Sequence, residues 1–168
     1  MQSLKKTVLL GSMLLSLGVA SSMAGAAGFS PPGPFSSTSG NVVLKWPATF
    51  QAPMTCNLSV SGSIDVNGVA TITTASLSGN NALCTLPKVQ GLPWSVNLSS
   101  ASQGTLTSIG FSMPNLARPG ESVCGPSSLA VTWDNAAHVL AAANQAMNSN
   151  CTLVSLNVTL AGSLTTHP

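Results

Sequence analysis

Hydrolysis by a serine nucleophile needs a hydroxyl, an imidazole base and a carboxylate to orient the base. The chain has only two histidines, His138 and His167, and three acids, Asp65, Glu121 and Asp134. Asp134 stands four positions before His138, and Ser122 sits in Gly120-Glu121-Ser122-Val123-Cys124-Gly125. That segment misses the G-x-S-x-G elbow by one residue, and no helix pattern follows to complete a strand-turn-helix. His138 therefore reads as a surface or hydrogen-bonded core residue, and His167 as part of a terminal tail. A glycosidase needs two facing carboxylates, yet Asp65 and Asp134 stand in Asp65-Val66-Asn67-Gly68 and Asp134-Asn135, where an acid serves its own turn. No histidine or acid cluster has metal-ligand spacing, and no glycine-rich loop opens a helix to cradle phosphate. The expectation is a protein that is not an enzyme, with no catalytic, cofactor or metal site.

Cysteine chemistry is the exception. Cys56, Cys84, Cys124 and Cys151 make an even set with no C-x-x-C pair, which argues against a zinc site or a redox-active dithiol and for structural disulfides. The interval from Cys56 to Cys84 nearly repeats that from Cys124 to Cys151. Each first cysteine precedes an apolar alternation (Leu58, Val60, Ile64; Leu129, Val131, Trp133), a turn (Asp65 to Gly68; Asp134-Asn135) and a second stretch ending at the next cysteine. Each second cysteine precedes another alternating run, Trp94, Val96, Leu98 or Val154, Leu156, Val158, Leu160. A duplicated module of this kind favours Cys56 with Cys84 and Cys124 with Cys151. Each bridge would contribute about 3.5 kcal/mol in the chain-entropy account.

The elements that must position these cysteines are short strands. Period-two alternation recurs at Val42, Leu44, Trp46 and at Thr107, Ile109, Phe111, Met113, and turn signals follow at Gly79-Asn80-Asn81, Gly91-Leu92-Pro93 and Arg118-Pro119-Gly120. The pattern predicts an all-β antiparallel sandwich, immunoglobulin-like or jelly-roll-like, with two disulfides. Residues 136–147 are Ala-rich and have good helix propensity. Their place in the repeat assigns them to a strand, with a short helix as the alternative. Trp46, Trp94 and Trp133 fall on the apolar phase of their strands and read as core rather than as an aromatic binding platform.

Lys5 and Lys6 precede an uncharged run from Thr7 to Ala20, and Ala24-Gly25-Ala26 follows, which is the order of a signal peptide over 1–26. The run is about 14 residues, short of the roughly 20 that span a bilayer as a helix, so no integral membrane segment is expected after cleavage. The protein is expected to be secreted through the periplasm to the cell surface or medium. Residues 27–40, with Pro31, Pro32, Pro34 and many serines, read as a flexible arm carrying Phe29 and Phe35, and 41–168 as a single domain. Beyond the leader, Lys45, Lys88 and Arg118 balance the three acids. Three scattered cations cannot displace the counterions of a nucleic acid, so none is expected as a partner. Low charge also leaves self-association weakly opposed.

Phe29-Ser30-Pro31, the strand Val42-Val43-Leu44, Cys56, Leu83-Cys84 followed by Gly91-Leu92-Pro93-Trp94, and the late Cys124 and Cys151 resemble the secreted bacterial proteins known as activators of alkane oxidation (PraB-like). The resemblance implies an extracellular accessory protein that favours growth on hydrocarbons without catalysing their oxidation. A nearly uncharged β surface suits an oil and water boundary or cell-surface material. The alternative is a structural subunit of a surface filament, fimbria or biofilm matrix, in which the arm adds to a neighbour's sheet edge.

Overall fold

In the computed structural model the described residues are 27–116 and 119–167; the expected signal peptide over 1–26 and Arg118 lie outside them. The strands are β1 (Gly28–Ser30), β2 (Gly33–Lys45), β3 (Pro53–Ile64), β4 (Ala70–Ser78), β5 (Lys88–Gln90), β6 (Trp94–Ser100), β7 (Gln103–Pro114), β8 (Glu121–Asp134), β9 (Val139–Met147), β10 (Cys151–Leu160) and β11 (Thr165–His167). The Ala-rich stretch is thus mostly strand β9. Its side chains alternate because its partner β10 is itself alternating and pairs with it from Cys151↔Met147 to Thr159↔Val139.

The sandwich expectation is corrected. Strands β2, β3, β4, β6, β7, β8, β9 and β10 each pair with their neighbours in this order, and β10 returns to β2, closing an up-and-down barrel of eight strands. Alternation along each strand is the same in both architectures; what decides is whether first and last strands meet, and Leu156↔Val42 and Leu153↔Leu44 bring them together. Closure needs local bends. At one of them, between Ser61 and Gly62, the β3–β4 register shifts, and a Cβ on Gly62 would run into the Thr71 carbonyl.

The arm is corrected as well. Residues 33–45 are a full barrel strand, and Phe29 and Phe35 are buried in the core. Proline and serine suggested mobility. The two phenylalanines and the alternation beginning at Phe35 outweigh that composition, because burying them offsets the entropy of ordering the segment. Strand β1 pairs with β11 from Gly28↔His167 to Ser30↔Thr165, a small two-stranded ribbon across one mouth of the barrel. His167, expected in a tail, is therefore in a strand.

The barrel is dry inside and wet outside. Leu44, Leu58, Leu106, Ile109, Phe111, Leu129 and Leu156 fill the interior, while outward positions carry Ser, Thr, Asn and Ala. This is the reverse of a membrane-spanning barrel, whose outer band is apolar. No helix among the described residues is long and apolar enough to cross a membrane.

One seam is loosely laced. Strands β8 and β9 share only the pairs from Thr132↔Ala141 to Asp134↔Val139. Farther along, the Gln145 side chain takes over, with Nε2 donating to the Ala130 carbonyl at 2.6 Å and Oε1 accepting from the Ala130 N–H at 2.7 Å. Asn148 Nδ2 likewise donates to the Pro126 carbonyl at 2.7 Å. Just before Gln145, Asn144 has a left-handed backbone at φ 51°, while β9 keeps the same register with β10 on either side of it.

Candidate functional site

Of the residues that could form a hydrolytic site, Asp134 and His138 share one turn, but Ser122 stands at the other end of the barrel. Ser122 is at the start of β8, whereas Asp134 ends that strand and His138 lies in the turn beyond it. Asp134 Oδ1 accepts the N–H groups of Ala136 and Ala137 at 2.8 and 3.0 Å. These bonds, that from Ala137 foremost, with a smaller contribution from His138, hold its carboxyl below the usual carboxylate range. Asp65 accepts from the N–H groups of Asn67 and Val69, both at 2.9 Å. Glu121 lies at the far end of the barrel beside Lys88, at 3.6 Å. No three His, Cys, Asp or Glu side chains among the described residues are grouped to hold a metal.

The four cysteines form Cys56–Cys84, 28 positions apart, and Cys124–Cys151, 27 apart, with Cα atoms 5.6 Å apart in each. Cys56 lies in the first part of β3, Cys124 in the first part of β8, and Cys151 opens β10, all strands running the same way around an antiparallel barrel. Both bridges therefore staple one end, opposite the ribbon. Two such bridges indicate an oxidising compartment. Trp46 and Trp94 close the core near this end against Phe111, with ring centroids 6.4 and 5.6 Å away. Trp94 Nε1 donates to the Gln90 carbonyl at 2.8 Å, while Trp46 Nε1 is buried with no partner.

The interior leaves little room for a ligand. A cavity of about 20 Å³, lined only by apolar side chains including Phe29, Phe35, Leu58, Trp94, Leu140 and Leu156, would hold one water-sized body. An alkane chain does not fit there without movement of the wall. A shallow trough of about 660 Å³ on the outside, between Gln103, Ala130, Ala141 and Asn157, is floored by small residues and carries no titratable group.

The stapled end carries what the sequence reading missed. Trp46, a 3₁₀ turn over Pro47–Thr49 and the residues after it form a helix-ending motif: the Gln51 N–H donates to the Trp46 carbonyl at 2.8 Å and the Phe50 N–H to that of Pro47 at 3.1 Å. The left-handed residue of such a motif is usually glycine. Here it is Phe50, at φ 53°, with its side chain 77% exposed. Gln51 is left-handed too, and its Nε2 donates to the Asn150 carbonyl at 2.9 Å, tying this loop to the β9–β10 turn. Leu116, 52% exposed, lies in the β7–β8 connection, and Val123, 40% exposed, is on the outer face just inside it. The two connections stand on opposite sides of the same rim, since β2–β3 and β7–β8 are separated by other strands in both directions around the barrel. A large apolar side chain moved from water to an apolar phase contributes roughly 1.5–3 kcal/mol. A lysine or arginine near an anionic surface contributes about 1 kcal/mol. The apolar tips outweigh the sparse charge of this end, where Lys88 faces Glu121.

Charge is absent elsewhere on the wall. Among the described residues Lys45 ends β2, Lys88 begins β5, Glu121 begins β8, Asp134 ends β8 and Asp65 is in a turn, so no strand interior carries a charge.

No curated protein and no solved structure matches the chain. A family model does, over residues 1–168, and it describes an alkane oxidation protein activator, PraA/PraB-like. With a model spanning its whole length, the chain belongs to the PraA/PraB-like family of alkane oxidation protein activators.

Proposed function

We propose that this chain is a secreted, non-catalytic accessory protein that favours hydrocarbon use from the boundary between oil and water. The observation that carries the reading is the placement of charge: the barrel wall is built of hydroxyls, amides and small apolar side chains, with every described charge at a strand end or in a turn. Charged groups resist leaving water far more than hydroxyls and amides do, so an uncharged wall lies close to an apolar phase at a lower desolvation cost than a charged one. Family membership supports a part in alkane oxidation as an activator, and the separation of Ser122 from Asp134 and His138 by the length of β8 fits an accessory rather than a catalyst. The two disulfides suit life outside the reducing cytoplasm.

The test is interfacial tension at a hexadecane–water drop with the purified protein lacking residues 1–26, beside an uncharged-matched and a charged secreted protein of similar size. Faster and deeper lowering of tension than both controls is expected. Behaviour no different from the controls would sink the reading.

A further inference from the structure

The geometry points to the disulfide-bonded end as the face that meets the hydrocarbon, with Phe50, Leu116 and Val123 as the side chains that enter it. This assignment rests on the boundary reading above and names its contact residues and orientation.

Phe50 combines two unfavourable conditions. Its side chain is 77% exposed, and its backbone is held at φ 53°, where a bulky residue is an outlier and glycine would be at ease. Neither the fold nor solubility gains from phenylalanine there, and strain of this kind gathers where a side chain is needed in place. The motif that imposes the strain also aims the ring: the Trp46 carbonyl holds the Gln51 N–H, and the Gln51 side chain holds the Asn150 carbonyl. Across the rim, Leu116 and Val123 add apolar surface beside Glu121, whose charge faces Lys88. The base under these tips is fixed by Cys56–Cys84 and Cys124–Cys151 and by the buried Trp46, Trp94 and Phe111. A loop backbone held in this way loses little freedom on contact, which is the physical meaning of a preorganised surface.

The occupant is an alkane surface rather than an anionic membrane. Among the described residues the end offers two cations, Lys45 and Lys88, and one of them faces Glu121. Such a surface has too little net charge for electrostatic capture, which needs several clustered cations. The opposite end supplies an internal control. Val66, 87% exposed, is more exposed than any of the three tips, but it stands in the β3–β4 turn with Asp65 beside it.

The experiment compares the wild-type protein with Phe50→Gly, with Phe50→Gly/Leu116→Ser/Val123→Thr, and with Val66→Ser, reading pendant-drop tension against hexadecane and thermal melts for each. The triple variant is expected to need about tenfold more protein for the same fall in tension, the equivalent of losing part of one large apolar contact. Phe50→Gly is expected to melt no lower than wild type, so its loss of adsorption cannot come from unfolding. Val66→Ser is expected to behave as wild type. If wild type adsorbs and all variants adsorb equally, the end assignment fails while the boundary reading stands. If wild type does not adsorb, both fail. Equal loss from Val66→Ser would overturn the orientation. Binding to anionic phospholipid vesicles but not to hexadecane would replace the occupant, and a wild-type dimer that Phe50→Gly dissolves would reassign the tips to self-association.

Discussion

The two mouths of this barrel are closed by different chemistry. One is stapled covalently, with two disulfides over a floor of Trp46, Trp94 and Phe111. The other is tied by hydrogen bonds: the β1–β11 ribbon, the Phe29 N–H on the Gly68 carbonyl at 2.9 Å, and Asn135. Asn135 Oδ1 accepts from Trp133 Nε1 at 2.7 Å and from the Thr166 N–H at 3.0 Å, and its Nδ2 donates to Thr166 Oγ1 at 2.8 Å. Beneath the ribbon Phe29 stands edge-on to Trp133 at 5.2 Å. The stapled mouth is braced well enough to hold Phe50 exposed and left-handed, whereas the tied mouth turns its phenylalanine inward. A phenylalanine ring is shown to water where the backbone is stapled covalently, and buried where it is held by weaker bonds, with Val66 the exposed apolar side chain of the tied mouth.

The largest effect that separates the mouths is removal of a staple. The double change Cys124→Ala/Cys151→Ala should lower unfolding free energy in urea by about 3.5 kcal/mol, the loop-closure value for a bridge of this span. A loss no greater than that from Asn135→Ala would erase the distinction drawn here. At the tied mouth, Phe29→Ala should cost about 3 kcal/mol by emptying its place against Trp133, and limited proteolysis should then cut first near the ribbon. Asn135→Ala leaves the Trp133 N–H and the Thr166 groups without their partner and should cost about 1–3 kcal/mol. In the opposite direction, Phe50→Gly should raise stability by about 1 kcal/mol, since glycine accepts the left-handed backbone without strain.

The smallest effect depends on pH. Asp134 titrates below its ordinary value because the folded turn hydrogen-bonds its ionised form. Its contribution is therefore complete above the unfolded value near 3.8, and it is lost as pH falls through the lower folded one. Melting temperatures followed downward from pH 5 should decline more steeply for wild type than for Asp134→Asn, and parallel curves would remove this turn from the account of the tied mouth.

Much of this molecule was legible in its residues, and the failures have physical reasons. The interval shared by the two cysteine pairs carried the disulfides because a duplicated strand-turn-strand unit brings the same two positions together twice. Alternation carried the strands and the buried tryptophans. It could not carry closure, since Val42 and Leu156 pair across more than a hundred residues and nothing local to either one announces it. The prolines and serines around Phe29 and Phe35 point to an arm, yet side-chain burial rather than composition decides their place. Phe50 left no signal at all: Pro47-Ala48-Thr49-Phe50-Gln51 contains no glycine at the position where the chain turns left-handed. Gln145 and Asn148 were equally silent, because an amide replacing a missing rung of the β8–β9 ladder looks like any other surface amide.

The uncharged wall has a consequence for the settings in which the protein keeps its properties. Dissolved ions act on a protein's flanks by screening fixed charges over a Debye length of about 10 Å at 0.1 M salt, and here the strand interiors offer them no fixed charge to screen. Hydroxyls and amides do not titrate between acid soil and alkaline brine. The flanks of the barrel thus present the same hydration to fresh water and to the sea, and only its two rims register the change.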